Sequence, residues 1–204
     1  MTKQFYQVFL TAIAGFMLSV AVHAQSSNGP SAVEAAGESV TQLLQRVKDL
    51  RPYFDSEPER YYEGIEEEVS KFVDFNEVAR GVMARYSQMA SEAQLQAFGD
   101  KLRETLTRFY GSALVEYGGQ ELTYLPSEDA PEDPNAPTTV RMQVNTSGSQ
   151  IELRYALFKN DAGEWKLRNL YVGGINLRRQ YYTQFAALMA RHNNDIDQVI
   201  EAWQ

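Results

Sequence analysis

The chain has 204 residues, with 27 acidic side chains against 19 basic ones and no cysteine, so its formal net charge is −8. A surface of this charge repels nucleic acid and anionic lipid headgroups, and the lack of cysteine excludes disulfides, catalytic thiols and thiolate-ligated metals. The length suits one domain with a substantial core.

Residues 1–24 have the pattern of a cleaved secretory signal peptide. Lys3 precedes an apolar run from Val8 to Val22, and the small residues at Val22 and Ala24 fit a cleavage site. The run is about 15 residues, shorter than the roughly 20 of a membrane-spanning helix; a retained N-terminal anchor is the alternative. Because this segment holds one cation and no acid, the exported chain would carry −9. The predicted division is a signal peptide (1–24), a tether (25–30) and a single domain (31–204).

Four helices are predicted in the N-terminal half, each from a capping pair followed by an apolar stripe at three- and four-residue spacing. The first is stopped by Pro52, and the fourth by the glycines Gly118 and Gly119. The capping pairs are Ser31 with Glu34, Ser56 with Glu59, Asp74 with Glu77, and Ser91 with Gln94.

After the two glycines the apolar period changes from about 3.6 to 2, which predicts a change from helix to sheet. The predicted elements are a strand at Glu121–Leu125, a proline-rich loop at Pro126–Pro137, hairpin strands over Val140–Val144 and Ile151–Leu157, a strand at Glu164–Tyr171, and helices from about Leu177 and Asp195. The expected fold class is α+β, with N-terminal helices packed on an antiparallel sheet of about four strands and with C-terminal helices.

Catalytic constellations are scarce in this sequence. His192, the one histidine beyond the predicted signal peptide, lies in the polar turn "RHNND", which is typical of a solvated loop. The acidic stretches Glu63–Glu68 and Ser127–Pro134 lack the ligand spacing of a calcium loop and indicate solvated surface. The sequence therefore predicts no catalytic residue, no metal site and no cofactor.

The informative excess is apolar and aromatic, and it either packs a core or lines a cavity. A second pattern is basic, because several cations fall on the polar face of neighbouring strands. These residues are a candidate docking patch for an acidic partner, and an ordinary solvated face is the alternative. They are Arg141, Arg154, Lys166 and Arg168.

Four segments resemble, in order and spacing, the MlaC family, also called the toluene-tolerance auxiliary protein family. They are "FVDFNEVARGVMARY", "QAFGDKLRETLTRFYGSALVEYGGQ", "GEWKLRNLYVGGINLRRQYYTQF" and "IDQVIEAW", and the resemblance covers about Val33 to Trp203. The chain departs from the family pattern at Asn169, Asn176 and Tyr182, where the family commonly has aspartate, serine and arginine, respectively.

The resemblance implies a curved sheet related to the nuclear transport factor 2-like cone, closed by helices around an apolar cavity. It implies a periplasmic phospholipid carrier of a Gram-negative bacterium, which is not an enzyme and has bound phospholipid as cargo. Such a monomer would shuttle lipid between an outer-membrane lipoprotein–porin complex and an inner-membrane ABC transporter with a periplasmic lipid-binding ring, and so maintain outer-membrane lipid asymmetry.

Within this interpretation the apolar stripes supply the residues expected to line the cavity, and the glycine pair Gly173–Gly174 is a candidate hinge before the closing helix. A plain strand-to-helix turn is the alternative for the glycines. The cavity residues predicted are Phe72, Val82, Phe98, Leu102, Phe109, Met142, Val144, Leu153, Tyr155, Trp165, Leu167, Tyr171 and Ile175.

Two other functions stay open from the sequence. A cone-fold proton-transfer enzyme would need a carboxylate on the inner face of the sheet, whereas Glu152 and Glu164 are expected to point outward or to lie at a strand end. A non-lipid periplasmic interaction module would have a fully packed interior.

Overall fold

The computed structural model describes residues 29–116, 121–126, 131–145 and 150–204. The predicted signal peptide, the glycines Gly118 and Gly119, and the turn at 146–149 lie outside these ranges. The α-helices are α1 (Ala32–Leu50), α2 (Pro58–Phe72), α3 (Phe75–Met83), α4 (Glu92–Leu114), α5 (Leu177–Arg191) and α6 (Ile196–Ala202). The strands are β1 (Glu121–Leu125), β2 (Thr138–Asn145), β3 (Gln150–Lys159), β4 (Trp165–Val172) and β5 (Ile175–Asn176).

The predicted caps of three N-terminal helices are confirmed. Ser31 and Ser91 each form a complete capping box, and the Asp74 carboxylate accepts the backbone N–H of Glu77 at 2.9 Å. The predicted cap of α2 is wrong. The N-cap is Glu57 without a side-chain bond, because the Ser56 hydroxyl donates back to the Pro52 carbonyl at 3.5 Å.

The strands form one antiparallel sheet in the order β1-β2-β3-β4-β5, which confirms the predicted meander. The sequence indicated about four strands because β5 has two residues, too few to show alternation. At the β4 edge, Val73 bridges to Leu167 in parallel, and the Asp74 N–H donates to the Leu167 carbonyl at 3.0 Å. This junction ties the α2–α3 connection to the sheet.

Helices α3, α4, α5 and α6 enclose a closed helical core. Phe98 packs its ring 4.9 Å from that of Phe185 and 5.0 Å from that of Trp203, and all three side chains are fully buried or nearly so. The buried members of the helical core are Ala79, Val82, Met83, Tyr86, Leu95, Phe98, Leu102, Phe185, Met189, Ile196, Val199 and Trp203.

A smaller cluster joins α1 to α2 around Val47, Leu50, Tyr61 and Ile65. The Tyr61 hydroxyl donates to the Gly111 carbonyl of α4 at 2.8 Å, so this cluster is also fixed to the long helix. Burial raises the pKa of the Tyr61 phenol to about 12. Across the described ranges, every helix is too short or too polar to traverse a lipid bilayer.

Candidate functional site: the inner face of the sheet

The sheet has one apolar face, here called the inner face, and one polar outer face. Val140, Met142 and Val144 of β2 lie opposite Tyr155, Leu153 and Ile151 of β3 in the register, so their side chains share this face. Alternation predicted this arrangement for the hairpin, and the structure confirms it. The apolar side chains grouped here are Val140, Met142, Val144, Leu153, Tyr155, Leu157, Trp165, Leu167, Leu170, Leu122 and Phe72.

The inner face is covered at one end and open at the other. Along β3, the exposed fraction of the inward side chains rises from 0% at Leu157 to 9% at Tyr155 and 37% at Ile151. The same direction holds on β2, where Val140 and Met142 are buried and Val144 is half-buried. Apolar side chains are therefore left partly uncovered toward the β2–β3 hairpin end.

The N-terminal part of α1 covers the closed end. Its small residues Ala32, Ala35 and Ala36 pack on the inner face, and an added Cβ at Gly37 would lie 3.3 Å from the Tyr124 hydroxyl oxygen. The Trp165 indole N–H donates to the Pro30 carbonyl at 3.1 Å, which fixes the start of α1 to the sheet edge. Small side chains let the helix approach the strands closely.

Two tyrosines give the inner face its polar groups. Burial raises the pKa of Tyr155, with a further contribution from neighbouring Tyr124, whose own pKa is raised by burial. Both phenols are therefore neutral across the physiological pH range, so they add hydrogen-bonding capacity to the face without charge. The described strand carboxylate Glu152 pairs with Gln143 on the outer face, as the sequence predicted.

A β-bulge changes which residues of β4 face inward. The register shifts between Ala156 and Leu157, so that Leu167 lies opposite Leu157 whereas Leu170 lies opposite Tyr155. Tyr171 lies opposite Arg154 and therefore belongs to the outer face. The predicted inward placement of Tyr171 is corrected, because the alternation was extended through an extra residue.

The outer face carries an arginine–glutamate cluster. Arg141 Nε and Arg154 Nε each donate to Glu152 Oε1 at 2.8 Å, and these hydrogen bonds lower the pKa of the Glu152 carboxyl. Lys166 Nζ donates to the Lys71 carbonyl at 2.7 Å and pairs with Glu164, and Arg168 lies over the Phe158 ring. The four predicted docking cations thus share a face, but three of them have carboxylate partners.

Residues 38–204 match the family described as MlaC protein.

The chain belongs to the MlaC family.

A toluene tolerance protein, ttg2D, of Pseudomonas putida is 34% identical over 167 residues, which cover 81% of this chain and 76% of that protein. A phospholipid-binding protein from Ralstonia solanacearum, solved in complex with a phospholipid, has the same fold. Its TM-score is 0.74 at 23% identity, and the match covers 85% of this chain and 95% of that one.

Against this MlaC fold, the residues predicted for the cavity separate into three groups. Seven lie together on the inner face: Phe72, Met142, Val144, Leu153, Tyr155, Trp165 and Leu167. Val82, Phe98 and Leu102 instead lie in the helical core, where each is fully buried among other side chains. Phe109 and Ile175 are 68% and 57% exposed, and Tyr171 is on the outer face.

Several inner-face residues were not among the predicted cavity residues. Leu122 and Tyr124 pair with Val144 and Met142, and their alternation on the predicted first strand was the available signal. Ile151 was inside the predicted hairpin, where the same alternation applies. Leu170 had no such signal, because the bulge that turns it inward has no mark in the sequence.

The glycine pair forms a tight turn between β4 and β5. Gly173 and Gly174 have φ of +55° and +85°, and Val172 pairs directly with Ile175 across them. Two successive positive φ values are typical of the type I′ hairpin turn. The chain then enters α5, whose buried side chains Phe185 and Met189 belong to the helical core.

Two positions that depart from the family pattern are hydrogen-bonded to each other. Asn169 Nδ2 donates to Asn176 Oδ1 at 3.1 Å, while the backbone N–H groups of Arg178 and Arg179 donate to the Asn169 and Asn176 side chains at 3.1 Å. Together the two amides cap α5 and fix its start to β4.

Elsewhere the described surface has depressions that lie away from the inner face. A cleft of about 230 Å³ lies where α2, α3 and α4 meet, around Asp74, Asp100 and Arg103, and a second of about 700 Å³ lies beside Glu104 and Glu201. Both are rich in charged side chains and neither includes an inner-face residue of β1, β2 or β3. The described ranges contain no group of three or more His, Asp or Glu residues suited to a metal ion.

Proposed function

We propose that the protein is a phospholipid carrier that holds acyl chains against the inner face of its sheet. The observation that carries the proposal is the uncovered end of this face, where Ile151 and Val144 remain partly exposed although they continue an apolar surface. An apolar surface that is left partly uncovered offers contact area to a ligand. The phospholipid bound to the Ralstonia solanacearum protein of the same fold supports this choice of cargo.

The energetics explain why such a face is needed. Burying a methylene is worth about 0.8 kcal/mol, so two acyl chains with about 28 methylenes are held out of water by roughly 20 kcal/mol. A carrier must replace the membrane interior with apolar side chains and demand few hydrogen bonds. The inner face meets this requirement because its polar groups, the phenols of Tyr124 and Tyr155, are uncharged.

The residues proposed to contact lipid are the inner-face residues that the sequence predicted, together with those that the strand register places on the same face. The chains would run from the open end, past Leu153 and Met142, toward Leu157 and Trp165 at the closed end. We expect the headgroup to stay near solvent at the open end, where Ile151 is exposed. The helical-core residues Val82, Phe98 and Leu102 support the fold in this proposal and do not contact lipid.

The cellular role that we propose is the one suggested by membership of the MlaC family. The protein would be exported by the signal peptide at 1–24, work as a monomer in the periplasm, and move lipid between an outer-membrane lipoprotein–porin complex and an inner-membrane ABC transporter. The shuttle would maintain outer-membrane lipid asymmetry. The similarity to a toluene tolerance protein supports this role, because tolerance to an organic solvent depends on the permeability barrier of the outer membrane.

A proton-transfer enzyme is the second candidate, and no catalytic role is proposed. Such a site would place an acid inside the cone, whereas Glu152 faces outward between Arg141 and Arg154. These arginines lower the pKa of Glu152, which is opposite to what a general acid near neutral pH requires.

The testing experiment is native mass spectrometry of the mature protein, purified from periplasm without detergent, followed by organic extraction and lipid analysis. The proposal predicts a co-purifying mass equal to one or more intact phospholipids. An apo mass that stays unchanged after incubation with phospholipid vesicles would contradict the carrier and favour the packed interaction module.

A further inference from the structure

Charge is unevenly distributed along this acidic chain. Residues 165–194, which span β4, β5 and α5, contain five cations and no aspartate or glutamate, although the whole chain has a net charge of −8. The stretch therefore carries a positive net charge of its own within an acidic chain. Its exposed cations are candidate contacts for an outside anion.

The acidic helix α2 differs because four of its five carboxylates have ion-pair partners within the described ranges. Glu59 pairs with Arg108 at 2.6 Å, Glu66 with Arg103 at 2.9 Å, and Glu68 with Lys71 at 2.8 Å. Arg178 and Arg179 are exposed and form no ion pair with any residue of the described ranges. Arg178 and Arg179 thus differ from the ion-paired carboxylates of Glu59, Glu66 and Glu68.

The packing of α5 on α3 places Arg178 against Gly81. An added Cβ at Gly81 would lie 2.5 Å from Arg178 Cδ, so the glycine makes room for this side chain on α3. Beyond the end of α3 at Met83, Arg85 donates to the Tyr86 hydroxyl at 2.8 Å. This hydrogen bond raises the pKa of Arg85, and the nearby Tyr182 adds to the effect. Tyr182 follows Arg178 by four residues and shares its helix face. Arg178 and Arg85 are therefore linked through Tyr182, and Arg179 follows Arg178 in the exposed first turn of α5.

The position of the two α5 arginines opposes helix stability. Arg178 and Arg179 lie in the first turn, where the helix dipole is positive and carboxylates are preferred. The caps are the neutral amides Asn169 and Asn176, so no carboxylate offsets the charge. Beside them, Ile175 is exposed at the end of the β4–β5 turn and offers apolar contact area.

We propose that Arg85, Arg178, Arg179 and Ile175, here called the arginine seam, form a docking surface for an acidic protein partner. The need for docking rests on the proposed carrier function, because a carrier of this kind must meet the proteins that load and unload it. Charge complementarity selects the partner. An anionic bilayer is a plane that faces the whole acidic chain, whereas an acidic protein surface can contact the seam alone.

The test uses the isotopically labelled mature protein titrated with poly-L-glutamate, with amide chemical shifts read by NMR. We expect shifts confined to the start of α5, the β4–β5 turn and the segment from Gly81 to Arg85, with affinity that falls as salt rises. In the double variant Arg178→Gln/Arg179→Glu, we expect binding about tenfold weaker or more. The same variant should have a higher Tm, because the new carboxylate suits the helix N-terminus.

Two matched charge reversals serve as controls. Arg191→Glu changes the opposite end of α5, and Arg168→Glu changes the outer sheet face without removing an ion pair of the described ranges. Both should leave poly-L-glutamate binding nearly unchanged. Weaker binding in Arg168→Glu than in the seam variant would overturn the proposal in favour of the outer sheet face.

Two further titrations distinguish an acidic protein partner from the two other occupants of the arginine seam, a membrane and a second copy of this chain. Shifts of the seam with vesicles of phosphatidylcholine and phosphatidylglycerol, but not with poly-L-glutamate, would overturn the proposal in favour of a membrane. Shifts that grow with protein concentration alone would overturn it in favour of a second copy of this chain.

Lipid mass in native mass spectra keeps the two proposals distinguishable. The seam variant should retain the phospholipid mass of the wild type while losing poly-L-glutamate binding. Loss of lipid with unchanged poly-L-glutamate binding would overturn the docking role and place the arginines at the cargo. Absence of lipid from the wild type would count against the carrier alone, since the titration measures docking without it.

Discussion

The helical core and the inner sheet face are both apolar, but they are closed to different degrees. In the helical core, Phe98, Phe185 and Trp203 meet ring against ring with at most 1% exposure. On the inner face, burial decreases steadily from Leu157 to Ile151. The difference indicates that hydrophobic content alone does not separate a packed core from a candidate binding surface; the feature that separates them here is the uncovered end of the inner face.

The largest expected effect comes from a substitution in the helical core. Phe98→Ala removes a fully buried ring with two aromatic neighbours, so we expect the free energy of unfolding to fall by about 3–5 kcal/mol. Chemical denaturation checks the loss. At a temperature where the variant stays folded, its co-purifying phospholipid should match the wild type; loss of lipid from folded protein would place cargo in the helical core.

The next effect comes from placing a charge at the open end of the inner face. Ile151→Asp should weaken phospholipid retention about a hundredfold, ~2.8 kcal/mol, because a carboxylate beside acyl chains lacks a partner. Native mass spectrometry gives the lipid-bound fraction, and thermal unfolding should change little since Ile151 is already partly exposed.

The matched control for this charge is Ile175→Asp. Both isoleucines are exposed, but Ile175 lies at the β4–β5 turn and outside the inner-face cluster. We expect it to keep its lipid. Equal lipid loss in both variants would contradict the boundary drawn around the inner face and would support the original sequence prediction for Ile175.

A smaller effect is expected at the joint between the two regions. Gly174→Ala forces a side chain into a positive φ, which costs about 1–2 kcal/mol in the left-handed region. Gly29→Ala, where an added Cβ contacts nothing within 4 Å, is the control. If Gly173 and Gly174 act as a hinge, the rate of lipid release changes as well; an unchanged rate with lowered stability indicates a plain turn.

The smallest effect concerns the outer face. Arg141 and Arg154 lower the pKa of Glu152 below its ordinary 4.5, so its ion pairs stabilise the fold above that pH and are lost as pH falls through the lowered pKa. Glu152→Gln should therefore lower Tm at neutral pH, by an amount that shrinks on acidification. The exposed Glu63→Gln is the control, and a Tm difference independent of pH would contradict the pairing.

Local sequence signals predicted most of the fold but only part of the site. Capping residues such as Ser91 act within one turn, and alternation in β2 and β3 fixes which side chains share a face. The bulge at Ala156 depends on pairing between strands, so the placement of Tyr171 could not follow from its own strand.

The division of apolar residues between the two regions was also beyond the sequence. Phe98 and Leu153 both lie on correct apolar stripes, but their partners are set by how α4 and β3 pack in three dimensions. Exposure at Phe109 likewise depends on which elements cover the end of α4. Periodicity identifies an apolar face and says nothing about its neighbour.

The two tryptophans allow the most direct test of where the cargo lies. Trp165 belongs to the inner face and Trp203 to the helical core, and the chain has no other tryptophan. The measurement is tryptophan fluorescence of delipidated protein reloaded with a phospholipid brominated near its acyl-chain ends, in the wild type and in Trp165→Phe. Bromine quenches only nearby indoles. A lipid site on the inner face therefore predicts strong quenching in the wild type that disappears in Trp165→Phe. Quenching that persists through Trp203 alone would contradict a lipid site on the inner face.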